Sequence, residues 1–437
     1  MVKKNYDAVI IGAGIIGNCI AYELCKKGWK TLSVDKLDGS GAGSTAASCA
    51  IVRASYSTYE GVAIAYEGFD IWAQWSDYLK IRDPQGMAIL KDTGQVFFKT
   101  HGHDWQKILG LFDTIGVAYE EWDLDRCKKK MPFLDFHQYW PVTRPEKDDR
   151  FFDPNPEYIE GAIFNPGGGY MSDPKLSTHN VQAAAEAVGA DFLFNQEVID
   201  IHKTGGRVSG ITLGDQSRID APVVINAAGP HSFIINRLTG VEEGMKIKTR
   251  PLRHEVAVVP APPGMDYQKE GYYVSDGDSG VYFRPEVGNT ILIGSEDPDC
   301  DSKDWITDPD NYNNQITDEQ WTAQVYRCAR RLRDLPVPGQ KKGIADLYDV
   351  TDDWYPIYDK SDLDGFYMAI GTSGNQYKNG PIAGMMMTHL IEQCENGRDH
   401  DADPVPYTLP ILGLTINLGF FSRRREINED SSFSVNG

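Results

Sequence analysis

The apolar positions at the start of the chain change from one period to another within about thirty residues. Residues 6–11 form a short apolar run typical of a buried strand, and after three glycines the apolar positions recur at the three-to-four spacing of a helix through Cys25. Gly28 ends that helix, and residues 30–34 form a second strand. Strand, helix and strand in this order predict one unit of a parallel sheet.

Two later stretches repeat the combination of a buried strand followed by small residues. Residues 220–229 end in Ala-Ala-Gly, after a helix and two short strands that are expected to return to the first sheet. Phe366–Ile370 runs into a glycine-rich stretch, residues 371–374, and then into a helical pattern over residues 381–395. We expect this helix to open at residues 371–374 and to aim its N-terminus at whatever lies on the sheet.

The first strand–helix junction carries chemistry. Gly12, Gly14 and Gly17 form a G-x-G-x-x-G motif, in which the glycines allow a tight turn, close approach to a pyrophosphate and close helix–strand packing. Asp35 ends the second strand, where it is placed to accept hydrogen bonds from a ribose. These features predict a dinucleotide site, the alternative being a glycine-rich turn in another α/β sheet. This unit alone does not distinguish NAD from FAD.

Flavin is favoured by the segment that follows. Residues 37–48 are small and glycine-rich, and only short side chains let the main chain lie along a second extended part of a cofactor. A flexible loop is the alternative interpretation of this segment. A nicotinamide enzyme leaves both this loop and the later glycine-rich stretch unexplained.

At this point the chain resembles the D-amino-acid oxidase superfamily of flavoproteins, and within it the branch of monomeric sarcosine oxidase and N-methyltryptophan oxidase, over nearly its whole length. The motifs that carry the resemblance are GAGIIG at residues 12–17, IVR at 51–53, NAAG at 226–229 and GTSGNQYKNGP at 371–381. The last motif is the most specific of the four.

The resemblance implies an α/β (α+β) fold, in which a Rossmann-like FAD-binding domain is interleaved with a substrate domain built on a mixed, largely antiparallel sheet. The expected FAD-binding segments are residues 1–84, 148–230 and 341–402. The substrate domain is expected over residues 85–147 and 231–340, and residues 403–437 form a C-terminal extension.

The resemblance also implies FAD as the cofactor and no metal. The expected FAD-binding residues belong to the motifs and to the strand ends beside them: Gly12, Gly14, Ile15, Ile16, Gly17, Asp35, Lys36, Gly43, Ser44, Thr45, Val198, Ala228, Gly229, Gly371, Thr372, Ser373, Gly374 and Lys378. Asp346 stands where the family has its covalent flavin cysteine, and residues 39–48 contain no histidine for the alternative linkage. We therefore expect FAD to be bound non-covalently.

Two further departures concern oxygen. Leu292 stands at the position of the family's oxygen-activating lysine, and Ala50 replaces an arginine of the oxidase pattern. A fixed cation beside the flavin stabilises developing superoxide, and neither residue supplies one. These differences favour a dehydrogenase that uses another electron acceptor, such as an acceptor protein or a partner subunit.

Arg53 and Lys378 are the expected substrate-binding residues. In the family, the matching arginine and lysine hold the substrate's α-carboxylate over the flavin, and Tyr348 has the best positional match to the pocket wall. An independent argument agrees, because the planar fork of Arg and the point charge of Lys together fix a carboxylate. The implied reaction oxidises the C–N bond of a secondary or N-substituted amino acid by hydride transfer to flavin N5, and the resulting imine is then hydrolysed.

Two alternatives stay open on the same residues. A carboxylate clamp also serves a 2-hydroxy acid or a primary D-amino acid. The chain could instead be the FAD-carrying subunit of a larger dehydrogenase complex, with its polar tail (residues 423–437) either disordered or docked onto a partner.

Composition limits the partners. The chain has 437 residues, with 63 Asp and Glu against 43 Lys and Arg and a net charge of −20. This charge disfavours nucleic acid and anionic membranes, so an anionic substrate requires a local basic site. Seven scattered cysteines favour a reducing cytoplasm, and no run of about 18 apolar residues predicts a membrane span. The arginines of the helix after residue 317 are expected to form a solvated face.

Overall fold

The computed structural model describes residues 5–101 and 104–437, whose strands form two large sheets and three small ones. Ten α-helices surround the sheets within these ranges. They are α1 (Ile15–Lys26), α2 (Tyr59–Ala73), α3 (Trp75–Leu79), α4 (Trp105–Ile115), α5 (Leu124–Lys130), α6 (Pro174–Ala187), α7 (Ser232–Thr239), α8 (Tyr267–Glu270), α9 (Asp318–Arg331) and α10 (Gly380–Glu395).

The first large sheet contains the strand that precedes the glycine motif. Its six strands, numbered along the chain and given in spatial order, are β20 (Ile357–Lys360), β21 (Phe366–Ile370), β13 (Val223–Asn226), β1 (Ala8–Ile11), β2 (Thr31–Val34) and β9 (Asp191–Leu193). All neighbours are parallel except β20 and β21. Every residue of β1, β2, β13 and β21 is buried, as expected for a parallel sheet covered on both faces.

The second large sheet has nine strands: β18 (Asp304–Trp305), β14 (Thr249–Pro260), β17 (Thr290–Ser295), β16 (Val281–Glu286), β15 (Tyr273–Asp276), β5 (Gln95–Phe98), β7 (Gly161–Asn165) and β6 (Glu120–Asp123), with β19 (Gly343–Thr351) beside β14. The pairing of β15 with β5 is parallel and the other pairings are antiparallel. The predicted fold class, a parallel nucleotide-binding sheet interleaved with a mixed, largely antiparallel one, is confirmed. The large sheet also takes in β7 and β19, which lie in segments that the sequence assigned to the FAD-binding domain.

The small sheets contain the remaining strands: β10 (Val198–Thr204), β11 (Arg207–Leu213) and β12 (Arg218–Asp220) in one, β3 (Ile51–Val52), β8 (Gly169–Met171) and β4 (Leu90–Lys91) in the next, and β22 (Pro406–Thr408) with β23 (Thr415–Asn417) in the last. The expectation that both short strands before β13 return to the first sheet is half wrong. β9 joins that sheet, whereas β10 forms an antiparallel hairpin with β11.

The arginines of α9 do not form the solvated face that the sequence predicts. Arg327 and Arg331 are fully buried, and they pair with Asp301 at 2.7 Å and with Asp276 at 2.8 Å. Arg330 is buried too and lies over the ring of Phe151 at 4.1 Å. The prediction failed because the acidic partners come from a distant strand and loop that helical periodicity does not reveal.

The C-terminal extension is attached to the parallel sheet by buried ion pairs. Arg423 is fully buried and pairs with Asp359 at 2.9 Å and with Asp401 at 2.9 Å, and Arg425 pairs with Asp353 at 2.7 Å. From there residues 431–437 fold back onto the nine-stranded sheet, where Val435 packs with Leu252 and Leu292, so the tail is ordered against its own chain and disorder does not describe it. In the described ranges, no helix is both long and apolar enough to cross a membrane.

Candidate active site

A cavity of about 500 Å³ lies between the two large sheets. This volume is within the usual range for small-molecule sites. Most of the predicted site residues line it: Gly12, Gly14, Ile15, Ile16, Asp35, Lys36, Gly43, Ser44, Thr45, Arg53, Val198, Ala228, Gly229, Tyr348, Thr372, Gly374 and Lys378. The other three, Gly17, Gly371 and Ser373, do not line this cavity.

The glycine motif is required by close main-chain contacts. Gly12 has φ +108°, and a Cβ atom there would lie 2.3 Å from the carbonyl oxygen of Ala227. A Cβ atom on Gly17 would lie 2.0 Å from the carbonyl oxygen of Gly12. Both distances are far below van der Waals contact, so any side chain at either position would push the helix away from the sheet.

The second glycine-rich loop completes the first helix. Gly14 caps α1 without a side chain, and the Ile15 N–H donates to Thr45 Oγ1 at 3.2 Å. The Gly41 N–H donates to the Ala13 carbonyl at 2.8 Å. Asp35 accepts from the Ala13 N–H at 2.7 Å, which fixes the same turn. We call these two segments, residues 12–17 and 39–48, the glycine cradle.

The glycine-rich stretch before α10 has a different structure from the one predicted. Gly371, Ser373 and Gly374 have φ values of +70°, +46° and +69°, which are left-handed and cannot start a right-handed helix. α10 therefore begins only at Gly380. Residues 371–376 form a loop beside the cavity, and a Cβ atom on Gly374 would lie 2.4 Å from the ring of Tyr348.

Asp349 holds this loop and was missed by the sequence analysis. Its carboxylate accepts from the Gly371 N–H at 2.6 Å, and its carbonyl accepts from the Ser373 N–H at 2.7 Å. The other carboxyl oxygen, Oδ1, is buried and has no partner within the described part of the chain. Burial raises the pKa of Asp349 to about 7. A carboxylic acid inside a strand of otherwise apolar residues, Leu347-Tyr348-Asp349-Val350, is the sequence signal that could have identified it.

Groups from both large sheets meet at another part of the wall. Lys36 pairs with Asp310 and contacts His231 Nε2 at 2.8 Å, and Asp310 lies 3.0 Å from the same His231 nitrogen. Burial and the neighbouring Lys36 lower the pKa of His231. This cluster joins the end of β2 to the segment after β18, across the cavity.

Arg53 and Lys378 lie side by side, as the motif positions predict. They are 4% and 3% exposed, and the guanidinium of Arg53 and the Nζ of Lys378 lie 4.7 and 4.9 Å from the ring centroid of Tyr56. Lys378 donates to the Asn375 carbonyl at 2.7 Å. Burial, and then the charge of Arg53, hold the pKa of Lys378 well below its usual value. Two buried basic groups without a carboxylate partner in the described part of the chain form a site for an anion, which would favour the charged form of Lys378.

The chain's own tail contacts this pair. Arg53 Nη2 donates to the Val435 carbonyl at 2.8 Å and to the Asn436 carbonyl at 3.0 Å. Neither residue was predicted from the sequence, although the alternation of Phe433 and Val435 in a polar tail was a signal for docking. We call residues 431–437 the C-terminal strap.

The remaining wall is aromatic and apolar. Tyr348 is stacked on His254, with ring centroids 4.6 Å apart, and Tyr273 and Tyr282 also line the cavity. Cys49 donates to or accepts from the Tyr282 hydroxyl at 3.2 Å, and burial raises the pKa of its thiol. Together the cradle, the loop after β21 and this wall provide an extended groove with an anion site, a shape and chemistry that fit FAD and a carboxylate substrate.

Comparison with known proteins agrees with this geometry. The family model described as FAD dependent oxidoreductase (DAO) matches residues 7–390. The chain is 24% identical over 399 residues to glycine oxidase of Geobacillus kaustophilus, covering 90% of this chain and 95% of that protein. It is 23% identical over 400 residues to sarcosine oxidase subunit beta of Rhodobacter capsulatus, covering 89% and 85% of the two chains. The crystal structure of L-proline dehydrogenase from P. horikoshii superposes with a TM-score of 0.75 at 20% identity, covering 97% and 98%.

Proposed function

Because the chain belongs to the DAO family of FAD-dependent oxidoreductases and is an enzyme of the type that acts on amino-acid C–N bonds, we propose that its substrate is a secondary or N-substituted amino acid. Glycine oxidase and sarcosine oxidase subunit beta, two of its relatives, are named for a small amino acid and its N-methyl derivative. In this proposal the chain oxidises a C–N bond of that amino acid, on either side of the substituted nitrogen.

The buried pair of Arg53 and Lys378 carries the proposal. Two basic groups share the ring of Tyr56 and lack an acidic partner in the described ranges, so together they form a site whose charge a bound anion would balance. The guanidinium of Arg53 can bind a carboxylate with two hydrogen bonds, and Lys378 adds a point charge. A binding carboxylate favours the charged form of Lys378, whose pKa burial has lowered.

The residues of the chain then position the reacting carbon. The clamp fixes the carboxylate, the aromatic wall of Tyr348, Tyr273 and Tyr282 excludes water, and the nearby positive charges favour the neutral form of the substrate amine. FAD, when bound in the groove, supplies the acceptor for the hydride equivalent that leaves the α-carbon or the N-substituent carbon. The substrate thereby becomes an imine, which water hydrolyses to a carbonyl compound and the smaller amine.

We further propose that FAD is held without a covalent bond. At position 346 an aspartate stands where the related enzymes carry a cysteine, and its carboxyl binds the Tyr312 hydroxyl at 3.1 Å. Cys49 also lines the cavity, but burial raises the pKa of its thiol, and thiols react as thiolates. Acid precipitation should leave the flavin in the supernatant. Flavin retained in the protein pellet of the wild type would contradict this proposal, and its release in the Cys49→Ser variant would identify Cys49 as the point of attachment.

The electron acceptor is proposed to be a molecule other than oxygen. Leu292 is 4% exposed and packs in an apolar cluster with Tyr273 and Tyr282, so this position supplies no fixed cation behind those two tyrosines of the wall. An acceptor protein or partner subunit would fit the likeness to a sarcosine oxidase subunit.

Anaerobic reduction of the flavin tests the proposal. Glycine, N-methylglycine, proline, D-alanine and lactate are added to the oxygen-free holoenzyme, the flavin absorbance is followed, and air is then admitted. We expect an N-substituted amino acid to bleach the flavin fastest, with slow recovery in air. Reduction by lactate alone would favour the 2-hydroxy-acid alternative, and fast recovery would favour an oxidase.

A further inference from the structure

The C-terminal strap occupies the side of Arg53 that a carboxylate would use. Both strap carbonyls, those of Val435 and Asn436, accept from the same guanidinium nitrogen, Nη2. The second terminal nitrogen, Nη1, donates to the Ser55 carbonyl and lies 3.3 Å from the Ser55 hydroxyl. The two terminal nitrogens are therefore engaged before any substrate arrives.

Other contacts hold the strap in this position. The main-chain oxygen of Gly437 accepts from the Ser57 hydroxyl at 2.7 Å, and Gly437 lies against the ring of Tyr56 that the two cations flank. The Val435 N–H donates to Asp297 Oδ2 at 3.3 Å. The strap thus donates one main-chain hydrogen bond to Asp297 and accepts two from Arg53.

The side chain of Val435 fills an apolar subsite. It is 7% exposed and packs in one cluster with aromatic and aliphatic residues, some of which line the cavity: Tyr273, Tyr282, Leu292, Tyr348 and Trp354. Burial of a valine side chain is worth about 1.5–3 kcal/mol, so this contact is a main anchor of the strap.

We propose that the strap is a self-ligand of the substrate site, which a carboxylate displaces from Arg53, and that Val435 marks the subsite for an apolar group of the substrate. The inference rests on the carboxylate clamp of the proposed function. A carboxylate replaces two neutral acceptors with a charge-assisted pair, and such hydrogen bonds are about twice as strong as neutral ones. A neutral amine has no such advantage, so the strap selects for acids.

The test uses two carboxylates that lack an oxidisable C–N bond, acetate and 3-methylbutanoate. Each is titrated into the full-length holoenzyme, with binding followed by the flavin spectrum. Hydrogen–deuterium exchange of residues 431–437 is measured with and without the saturating ligand. Wild type is compared with Val435→Ser, which weakens the strap, and with Ile427→Ser, a matched control on the same tail whose side chain is 48% exposed.

We expect 3-methylbutanoate to bind about tenfold more tightly than acetate and to increase exchange in residues 431–437. Val435→Ser should lower the Kd of acetate about tenfold, whereas Ile427→Ser should leave it unchanged. Ser57→Ala, which removes the hydrogen bond to Gly437, should act in the same direction as Val435→Ser and keeps the test valid if that variant misfolds.

Bound 3-methylbutanoate with unchanged protection of residues 431–437 would overturn the displacement, because the strap would then be a fixed wall. Equal Kd values for the two acids would overturn the apolar subsite. If neither acid bound to any variant, the carboxylate clamp itself would be refuted, and the proposed function with it.

Discussion

The cavity has two parts that are built in different ways. The glycine cradle is made of main chain, and its contacts come from short segments such as residues 12–17 and 39–48. The clamp and its wall are made of buried side chains whose contacts reach distant segments: Arg53 binds the main-chain carbonyl of Val435, which is 382 positions away. We therefore expect added side-chain volume to disrupt flavin binding by the cradle, and loss of charge to disrupt substrate binding by the clamp.

The largest effect is expected from adding one methyl group to the cradle. In Gly17→Ala the new Cβ would lie 2.0 Å from the Gly12 carbonyl oxygen, so α1 must move away from β1. We expect a loss of more than about 3 kcal/mol in the free energy of unfolding and loss of bound flavin. Urea denaturation and the ratio of flavin to protein absorbance after gel filtration measure both.

Gly39→Ala is the matched control, because a Cβ atom there meets no other heavy atom within 4 Å. It should keep the wild-type flavin content. A Gly17→Ala protein with full flavin and unchanged stability would show that the cradle is not limited by volume.

Removing charge from the clamp should impair substrate binding and leave the flavin bound. In Arg53→Ala or Lys378→Ala, we expect flavin to be retained and kcat/KM for the amino-acid substrate to fall about 100- to 1,000-fold, mainly through KM, because each cation contributes charged hydrogen bonds. Steady-state kinetics and the flavin content measure the two parts separately.

Arg333→Ala serves as the charge-matched control, since Arg333 is exposed and forms a long surface pair with Asp135 at 3.4 Å. Its kcat/KM should stay near the wild-type value. If both clamp variants also kept that value, the two cations would have no part in substrate binding.

A smaller effect should come from Asp349, which holds the loop after β21 that contacts Lys378 of the clamp. Its pKa is raised from 3.8 to about 7 by burial, so the folded state holds its proton more tightly than the unfolded state does. Its contribution therefore makes the protein less stable as pH rises from about 4 to about 7, and constant beyond.

Asp349→Asn should remove this slope. At pH 8 the variant should be more stable than wild type by the order of 2 kcal/mol, below the ceiling of about 4 kcal/mol that three pKa units set. Urea denaturation at pH 5 and pH 8 measures the difference. An identical pH dependence in the two proteins would mean that Asp349 is ionised in the folded state at pH 5 as well.

These two parts also differ in how far the sequence predicts them. The G-x-G-x-x-G motif, the loop around Thr45 and the strand β13 are local patterns, and each has the predicted structure. Arg53 and Lys378 were placed in one cleft because each lies directly after such a pattern. The parallel sheet was predicted from the same local patterns, whereas the mixed, largely antiparallel sheet was predicted from the resemblance to the flavoprotein family.

The errors concern contacts between distant segments and main-chain angles. The helix predicted over residues 381–395 is α10, which begins at Gly380, but the expectation that residues 371–374 open it was wrong, since the left-handed Ser373 is not apparent in a pattern of small residues. Arg331 was expected in solvent because its partner, Asp276, lies on β15. The conformation of the strap could not be predicted, because only the folded structure shows that the Val435 side chain packs in an apolar cluster.

The central claim is that the clamp recognises a carboxylate in the act of C–N oxidation. The most direct measurement compares the amino acid that reduces the flavin fastest with its matched amino alcohol, in which a CH2OH group replaces the carboxylate. Both are mixed anaerobically with the wild-type holoenzyme, and the rate of flavin bleaching is recorded against concentration. The account predicts that the amino acid reduces the flavin at least about 100-fold more efficiently. Equal efficiency for the two compounds would contradict it.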